Sequence, residues 1–528
     1  LNKPTANKFT ITTKGQIVYT YEKLSGTSNF PYVLVSIHDR NNNMMTIQYE
    51  AGQDPEHPDY KRIVSVTGTA GRKLQFFYHT SSDLIDYIKD PMGRKVYFTY
   101  DNGLLKTFKD AKGQVTTYNY GTGSEAFNTY EDRKLASSKT NGNQPTQYAY
   151  NRNYGQNTPN NYITTTITDP NNKTAEIQYN KAGNPNHIAK NNNTVNITYK
   201  ATQPDLPENI EINGKNTSYI YDNKGNLTKA TLPMGVSYRY EYNTLNDVTK
   251  FTDPKGNEYT YEYDNHGNLI KVTTPRSASN FMVNSKGQVT KATNPMGIAV
   301  NYNYDTYGNI IKTQAPEGIT VQSTYDIISR LLSVTNPNGH TVNYQYDNND
   351  NMLKETFNGQ HTQYAFDANN NLTSIINAKG FATNMDYDFD NDLLKEVSFE
   401  GATDKYTYYD DGKAKTYTDP KGTVFTYSYD NQDRLKTISA PGANPISYTY
   451  DAHNNIESVS NSNGTISYVY DDLNRLISTT DYYNNTIQYS YDLNSNLTAI
   501  TYPGNKKVDY TYYNDNLLES VTDWMGNT

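Results

Sequence analysis

The sequence predicts an all-β protein in which tandem antiparallel β-hairpins form a spiralled sheet around a hollow interior. The first observation is a Tyr-x-Tyr-Asp phrase that recurs about every 21 residues. The second is a tight-turn pattern at both ends of each strand pair. The third is a composition of 35% hydrophobic residues with 52 tyrosines and a mean hydropathy of -0.86. This is poor material for a thick dry core, yet too aromatic for a disordered chain.

The strands are predicted from the alternation of residue types. In residues 261–269, Tyr261 and Tyr263 flank Glu262. Side chains two residues apart lie on the same face of a strand, so both rings face one side of the sheet. Tyrosine, threonine and valine dominate these runs, as is typical of strands.

The turns are predicted from two short patterns. Asp264 and Gly267 occupy the first and fourth positions of a type I turn. Asp253, Pro254 and Gly256 follow the same pattern, with the proline fixing φ at the second position. Each repeat is therefore strand, turn, strand, turn, and we expect Gly267 to take a positive φ.

The sequence does not determine the register of the second strand of each repeat. Leu269 and Val272 lie three residues apart, and this spacing recurs in later repeats. Two residues three apart fall on opposite faces of a regular strand. Either a bulge shifts the register between them, or both faces of the sheet carry partial apolar rows.

The repeated tyrosines, aspartates and glycines are interpreted as structural residues. An aspartate that begins a turn ordinarily accepts hydrogen bonds from its own backbone, which favours this role over an array of catalytic acids. The sequence also lacks a Gly-x-Ser-x-Gly elbow and a P-loop, so we expect no enzyme activity and no cofactor. The structural repeat residues are Tyr221, Asp222, Gly225, Tyr263, Asp264, Gly267, Tyr304, Asp305, Gly308, Tyr346, Asp347, Tyr429, Asp430, Tyr450, Asp451, Tyr491 and Asp492.

The spacing of the repeats divides the chain into two regions. Residues 206–528 keep a regular period and are predicted to be a shell segment that is truncated at both ends. Residues 1–205 keep the period less strictly, and polar stretches such as 52–58, 121–124 and 151–155 predict longer loops on the same scaffold. The alternative for residues 1–205 is a separate N-terminal β domain.

Charge and residue usage exclude several classes of partner. The formal net charge is -8 and no basic tract is present, which argues against nucleic acid. The chain has no cysteine, so disulfides and cysteine-ligated metals are excluded. No apolar run reaches the roughly 18 residues of a membrane-spanning helix.

One acidic run is a weak candidate for a metal site. Asp386, Asp388, Asp390 and Asp392 occupy alternate positions and could offer oxygen ligands to Ca²⁺. The EF-hand pattern fails because asparagine and valine stand where glycine and glutamate are required. An exposed acidic edge is the favoured interpretation, and no metal is expected.

The number of repeats favours a cavity over a packed sandwich. About 23 hairpins make roughly 46 strands, and strands spaced ~4.8 Å apart would give a sheet on the order of 220 Å long. Closed into a ring, that sheet would be ~70 Å across, far too wide for side chains to fill. A folded sandwich remains the alternative, but the low hydrophobicity favours a sheet coiled around a cavity.

The phrase Tyr-Asp-x-x-Gly-Asn-Leu at residues 263–269, with Asp-Pro-x-Gly between copies, resembles the YD repeats of Rhs proteins. The tandem run is most similar to the bacterial wall-associated type, and more distantly to ABC toxin complex shells and teneurins. The resemblance implies a shell that encloses a C-terminal toxin. The family's self-cleaving segment and the toxin itself are not found in this sequence.

The resemblance implies a non-catalytic shell segment of a secreted, cell-wall or cell-surface toxin used in intercellular competition. Its implied partners are its own C-terminal toxin and the segments that cap the shell. The alternative is a surface adhesion module whose exposed tyrosines stack on glycans or contact a partner cell. The direction in which the tyrosine face points would distinguish the two functions.

Overall fold

The computed structural model describes most of the chain. The described residues are 2–5, 7–23, 32–51, 61–120, 135–140, 146–152, 163–168, 173–180, 182–190, 193–388, 393–409 and 412–528. The polar stretches predicted as long loops at 52–58 and 121–124, and most of 151–155, lie outside them.

The described residues form 48 β-strands. The first twelve are β1 Asn2–Thr5, β2 Lys8–Thr12, β3 Val18–Glu22, β4 Val33–His38, β5 Met44–Ala51, β6 Lys61–Thr67, β7 Lys73–Tyr78, β8 Ile85–Lys89, β9 Lys95–Asp101, β10 Leu104–Lys109, β11 Val115–Tyr120 and β12 Leu135–Thr140. The next twelve are β13 Thr146–Arg152, β14 Ile163–Thr168, β15 Thr174–Tyr179, β16 Pro185–Lys190, β17 Asn193–Lys200, β18 Gln203–Ile212, β19 Lys215–Tyr221, β20 Leu227–Thr231, β21 Ser237–Tyr242, β22 Val248–Thr252, β23 Glu258–Tyr263 and β24 Leu269–Thr273.

The remaining strands are each five to seven residues long. They begin with β25 Ala278–Val283, β26 Val289–Thr293, β27 Ala299–Tyr304, β28 Ile310–Gln314, β29 Thr320–Tyr325, β30 Leu331–Thr335, β31 Thr341–Tyr346, β32 Met352–Phe357, β33 Gln360–Phe366, β34 Leu372–Ile376, β35 Ala382–Tyr387 and β36 Leu394–Phe399. They end with β37 Ala402–Tyr408, β38 Ala414–Thr418, β39 Val424–Tyr429, β40 Leu435–Ser439, β41 Ile446–Tyr450, β42 Ile456–Asn461, β43 Gly464–Tyr470, β44 Leu476–Thr480, β45 Thr486–Tyr491, β46 Leu497–Tyr502, β47 Lys506–Tyr512 and β48 Leu518–Thr522.

All 48 strands belong to one sheet, and each strand pairs antiparallel with the next strand in the chain. The only helical elements among the described residues are two 3₁₀ turns, Pro233–Gly235 and Pro316–Gly318. The predicted all-β fold of tandem hairpins is therefore confirmed. The boundary predicted between residues 205 and 206 lies within β18.

A bulge, present in most of the described hairpins, resolves the open question of register. In β23 and β24, Tyr261 lies opposite Val272, whereas Tyr263 lies opposite Leu269, so the register shifts between the two pairs. The shift inserts one extra residue into the second strand. The apolar residues of both strands consequently face the same side as the tyrosines.

The sheet forms a wall that is one layer thick. Its accessible surface is 31138 Å², whereas a solid globule of 59.9 kDa would expose about 19,000 Å². Among the described residues, only Ala230, Val236 and Ala499 are buried apolar side chains. Most tyrosines are half-buried against aromatic neighbours on the same face of the sheet. For example, the ring centroids of Tyr240 and Tyr259 lie 5.4 and 5.6 Å from that of Phe251.

The turns alternate between the two edges of this wall. Turns that follow odd-numbered strands contain the Tyr-Asp phrase or its substitutes, and we call their edge the Tyr-Asp rim; residues 264–268 are one example. Turns that follow even-numbered strands contain Asp-Pro-x-Gly or its substitutes, and we call their edge the Asp-Pro rim; residues 253–257 are one example. In the part of the chain that the structure describes, no helix has the length and apolar character needed to cross a bilayer.

Candidate functional site: the turn rims and the seam between windings

The aspartate of each Tyr-Asp turn holds the turn closed. One carboxylate oxygen of Asp264 accepts hydrogen bonds from the backbone amides of His266 and Asn268, both at 2.9 Å. The other oxygen accepts the Asn268 side-chain amide at 2.9 Å. The backbone of Gly267 then follows with φ +77°, as predicted.

The same arrangement recurs at the predicted repeat residues. The aspartates that accept backbone amides two and four residues ahead are Asp222, Asp305, Asp347, Asp430, Asp451 and Asp492. Gly225 and Gly308 have φ of +76° and +88°. In other repeats asparagine, serine or aspartate takes this left-handed position, as Asn454 does with φ +69°. The carboxylates therefore serve turn geometry.

The Asp-Pro turns use the same chemistry. Asp253 accepts the backbone amides of Lys255 and Asn257 at 3.0 and 2.8 Å, and its second oxygen accepts the Asn257 side chain at 2.8 Å. The two rims therefore share one turn geometry. Only the residues exposed at the turn tips distinguish them.

The second tyrosine of each phrase ties one hairpin to the hairpin before it. The Tyr263 hydroxyl donates to the carbonyl oxygen of Val248 at 2.8 Å, beside the bulge of the preceding hairpin. Equivalent bonds reach a carbonyl 14 or 15 residues earlier. The donors are Tyr49, Tyr78, Tyr120, Tyr199, Tyr221, Tyr242, Tyr304, Tyr346, Tyr387, Tyr408, Tyr429, Tyr450, Tyr491 and Tyr512.

Removing one of these hydroxyls should weaken the wall measurably. Tyr263→Phe leaves the Val248 carbonyl without its donor and should lower the free energy of unfolding in urea by about 1 kcal/mol. The control is Tyr261→Phe in the same strand, because the Tyr261 hydroxyl makes no hydrogen bond within the described part of the chain. Equal losses for the two variants would contradict the role of the Tyr263 bond.

The turn carboxylates also predict how stability depends on pH. Burial raises the pKa of Asp264, but hydrogen bonds from Asn268 and His266 lower it by more, so its pKa lies below the ordinary 3.8. The pKa values of the equivalent aspartates are lowered in the same way, burial again opposing the hydrogen bonds. These are Asp222, Asp305, Asp347, Asp430, Asp451, Asp471 and Asp492.

A lowered pKa in the folded state means that the unfolded chain takes up protons first as the pH falls. The stabilisation is therefore fully present above about pH 4 and is lost progressively below it, as the folded aspartates also become protonated. We expect the urea midpoint to stay nearly constant from pH 7 to pH 5 and to fall steeply below pH 4. A fall that is already complete by pH 5 would contradict this assignment.

The wall coils back on itself, and its two rims meet along a seam. Side chains of the Asp-Pro rim contact turns of the Tyr-Asp rim that lie 205 to 261 residues later in the chain. Near the start, Lys14 donates to the carbonyl of Gly225 at 2.8 Å. Near the end, Arg276 lies 3.5 Å from the Tyr513 ring centroid. The recurring separation of 205 to 261 residues corresponds to one winding of a spiral.

Ion pairs and amide hydrogen bonds recur along the seam. Arg40 pairs with Asp247 at 2.6 Å, and Asn41 and Asn268 exchange reciprocal amide hydrogen bonds at 2.8 Å. Further ion pairs across the seam are Arg94 with Asp350 at 2.8 Å, Lys112 with Asp347 at 3.1 Å, Lys173 with Asp433 at 2.8 Å and Lys255 with Asp492 at 3.0 Å. Most of these side chains are less than one-third exposed. One exposed ion pair contributes little to stability, whereas a row of half-buried pairs along the seam stabilises the contact between windings together.

The seam residues were missed by the sequence reasoning. The sequence predicts the Tyr-Asp carboxylates as turn formers, but it does not predict their second role as anionic partners of Lys112 and Lys255. A signal was present, since the Asp-Pro turns up to residue 276 repeatedly carry lysine or arginine at their third or fifth position. The position of each partner could not be inferred from that pattern.

The acidic run considered as a metal site is only partly described. Asp386 lies 3.5 Å from Lys395, and its side chain is mostly exposed. Asp390 and Asp392 lie outside the described residues, and the backbone amide of Asp388 donates to the carbonyl of Leu393 at 2.7 Å. Among the residues that the structure covers, no three potential metal ligands come together.

Comparison with known proteins identifies one family. The family model described as "Teneurin YD-shell" matches residues 128–281, 277–444 and 422–523, which together are more than half of the chain. No curated protein matches the sequence significantly.

Several solved structures are similar to this chain at low identity. The crystal structure of TcdB2-TccC3-TEV is 12% identical, with a TM-score of 0.46 over 96% of this chain and 38% of that chain. The crystal structure of TcdB2-TccC3 is 14% identical, with a TM-score of 0.42 over 95% and 36%. The Photorhabdus luminescens Tc holotoxin pore is 13% identical, with a TM-score of 0.39 over 95% and 37%. This chain thus spans less than two-fifths of each of those chains.

Proposed function

This chain belongs to the teneurin YD-shell family, and from that premise we propose that it is a non-catalytic segment of a shell that encloses a polypeptide toxin. The observation that supports this proposal is the wall itself. The windings of a single sheet are joined at their rims. The resulting wall has a large surface and few buried side chains, as expected of a container and not of a solid domain.

We further propose that the shell is of the bacterial wall-associated Rhs type. In this assignment the protein is secreted and held at the cell wall or cell surface, where it delivers its toxin in competition between cells. The cysteine-free composition suits export that does not depend on oxidative folding.

The enclosed space can be tested by placing single cysteines on the two faces of one strand. The chain has no cysteine, so each introduced thiol is unique. Tyr344 and Gln345 are neighbours in β31 and face opposite sides of the wall. Tyr344→Cys and Gln345→Cys should both react with a small maleimide, but one of them should react at least tenfold more slowly with a 20-kDa polyethylene glycol maleimide.

The three possible architectures give different outcomes in this experiment. If small and large reagents react equally well with the cysteines on both faces, the result would contradict enclosure and favour the adhesion module. A face that neither reagent reaches would indicate a packed sandwich. Unfolding by the substitution is excluded by comparing the circular dichroism spectrum with that of the parent chain.

Enclosure of a polypeptide requires a second measurement. An unfolded reporter of about 100 residues, rich in glycine, serine and lysine, is fused after Thr528 and digested with trypsin. The reporter should be cut at least tenfold more slowly than the same reporter fused to an unrelated compact protein. Cleavage at equal rates, together with binding of the parent chain to immobilised glycans, would replace the shell function with adhesion.

A further inference from the structure

A cavity of about 400 Å³ lies in the seam, where two Asp-Pro turns of one winding meet two Tyr-Asp turns of the next. These turns are residues 68–72, 90–94, 305–309 and 326–330. The volume is in the range of cavities that hold small ligands. Three cations, Arg72, Lys73 and Lys89, contribute to its lining.

Arg72 lacks the carboxylate that binds other arginines at the same turn position. In four other turns an arginine at the fifth position pairs with the aspartate at the first position, at 2.7 to 2.8 Å; these arginines are Arg94, Arg330, Arg434 and Arg475. In the turn that ends at Arg72, the first residue is Gly68, which has no side chain to accept this bond. The Arg72 guanidinium therefore has no carboxylate within its own turn.

The next winding does not supply the missing charge. Arg72 donates to the hydroxyl of Ser329 at 2.8 Å across the seam. Ser329 occupies the left-handed position of its Tyr-Asp turn, with φ +73°. At the same position of a later turn, Asp350 pairs with Arg94 across the seam at 2.8 Å. A neutral hydroxyl thus faces Arg72 where a carboxylate faces Arg94.

Two lysines add to this uncompensated positive charge. Lys73 donates to the side-chain oxygen of Gln48 at 3.4 Å, and Lys89 lies 6.0 Å from the Phe77 ring centroid. Neither lysine nor Arg72 has a carboxylate partner in the part of the chain that the structure describes. All three are half-buried. Like charges around one cavity repel each other more strongly there than in open water.

The carboxylates beside the cavity are already engaged. Asp90, the only acidic residue among the described lining residues, accepts the backbone amides of Met92 and Arg94 at 2.9 Å and the Arg94 guanidinium at 2.7 Å. Asp305 and Asp326 likewise accept hydrogen bonds from within their own turns. None of these carboxylates can turn towards the three cations without giving up the bonds that close its turn.

A bound anion would supply the missing negative charge. A guanidinium presents a planar set of donors that fits a tetrahedral oxyanion, and a lysine adds a mobile cation. The cavity is small, and the net charge of -8 opposes a long polyanion. We propose that this cavity binds a small oxyanion of the phosphate or sulfate type, held by Arg72, Lys73 and Lys89. This inference does not depend on whether the chain encloses a toxin.

Calorimetric titration of the chain with inorganic phosphate at low ionic strength tests this proposal. One phosphate should bind per chain, sulfate should compete with it, and added sodium chloride should weaken the binding because the contact is electrostatic. Glucose 6-phosphate distinguishes a free anion from a monoester. Binding within tenfold of phosphate means that the cavity accepts the monoester, and weaker binding means that it selects the free ion. A chain that binds neither compound would overturn the proposal, as would glucose that binds as well as glucose 6-phosphate.

A matched pair of variants at Gly68 tests the missing carboxylate directly. Gly68→Asp introduces the turn carboxylate that pairs with arginine elsewhere, so it should weaken phosphate binding at least tenfold. Gly68→Asn has the same shape without the charge and should bind phosphate as the parent chain does. Both turns should form, because no atom lies within 4 Å of the Cβ that Gly68 would gain and its φ is not in the left-handed region. Asn294 already occupies the equivalent position of another turn and accepts its backbone amides.

A second set of variants tests the cations themselves. Arg72→Gln and Lys73→Gln should each weaken phosphate binding at least tenfold. Lys291→Gln is the control and should leave the affinity unchanged, because Lys291 is also half-buried without a carboxylate partner in the described part of the chain, but it lies on β26, away from the cavity. All variants should keep the circular dichroism spectrum of the parent. Equal affinities for Gly68→Asp and Gly68→Asn, or an equal loss for Lys291→Gln and Arg72→Gln, would place the anion elsewhere and overturn the proposal.

Discussion

Small-angle X-ray scattering of the chain should give a radius of gyration well above ~24 Å, the value expected for a compact globule of 528 residues. The physical reason is the placement of mass on a thin wall. The accessible surface of 31138 Å² exceeds that of a solid globule of the same mass by more than half. The measurement is made on a dilution series and extrapolated to zero concentration.

A seam variant provides the matched comparison for the scattering experiment. Lys112→Glu, Lys173→Glu and Lys255→Glu together place new carboxylates beside Asp347, Asp433 and Asp492. Repulsion should then separate the windings and raise the radius of gyration further, while the hairpins remain folded. A parent radius near the value for the solid globule, with no central minimum in the density, would refute the hollow wall and favour a packed sandwich.

Gly267→Val should destabilise the chain by clearly more than ~1 kcal/mol in a urea titration. Gly267 has φ +77°, a conformation that a β-branched residue adopts only with strain. A Cβ atom at this position would also lie 1.8 Å from the Arg40 guanidinium of the previous winding. The same Arg40 nitrogen pairs with Asp247 at 2.6 Å, so moving it aside would disturb that ion pair.

Two controls divide this effect into its causes. Gly235 has the same φ of +77°, but no atom lies within 4 Å of the Cβ it would gain, so Gly235→Val measures backbone strain alone. His266→Ala, at a turn position without strain, should change the free energy of unfolding by no more than ~0.5 kcal/mol. Equal losses for Gly267→Val and Gly235→Val would show that the Arg40 contact adds nothing. A loss no larger than that of His266→Ala would contradict the turn assignment itself.

The sequence by itself determined the hairpin and the chemistry of its turns. The alternation of Tyr261 and Tyr263 is a local signal for a strand, and Asp264 with Gly267 is a local signal for a turn. Both signals act over fewer than ten residues, within the range of side-chain to backbone hydrogen bonds. The repetition of this unit was then sufficient to predict an all-β sheet in which each strand pairs with the next.

The bulge could be named from the sequence only as one of two alternatives. The spacing of Leu269 and Val272 is compatible with a register shift or with apolar residues on both faces. The structure shows the shift, because Tyr263 then lies opposite Leu269 and its hydroxyl reaches the carbonyl of Val248 in the preceding hairpin. That acceptor becomes visible only when three strands are placed side by side.

Only the tertiary structure decided which turns meet across the seam. Lys112 reaches Asp347, and Lys255 reaches Asp492, because the sheet completes one winding between them. The length of a winding depends on the small twist and tilt between successive hairpins, summed over many strands. The repeat period does not specify this accumulated twist and tilt. The sequence therefore predicts which turns are charged but not which turns they contact.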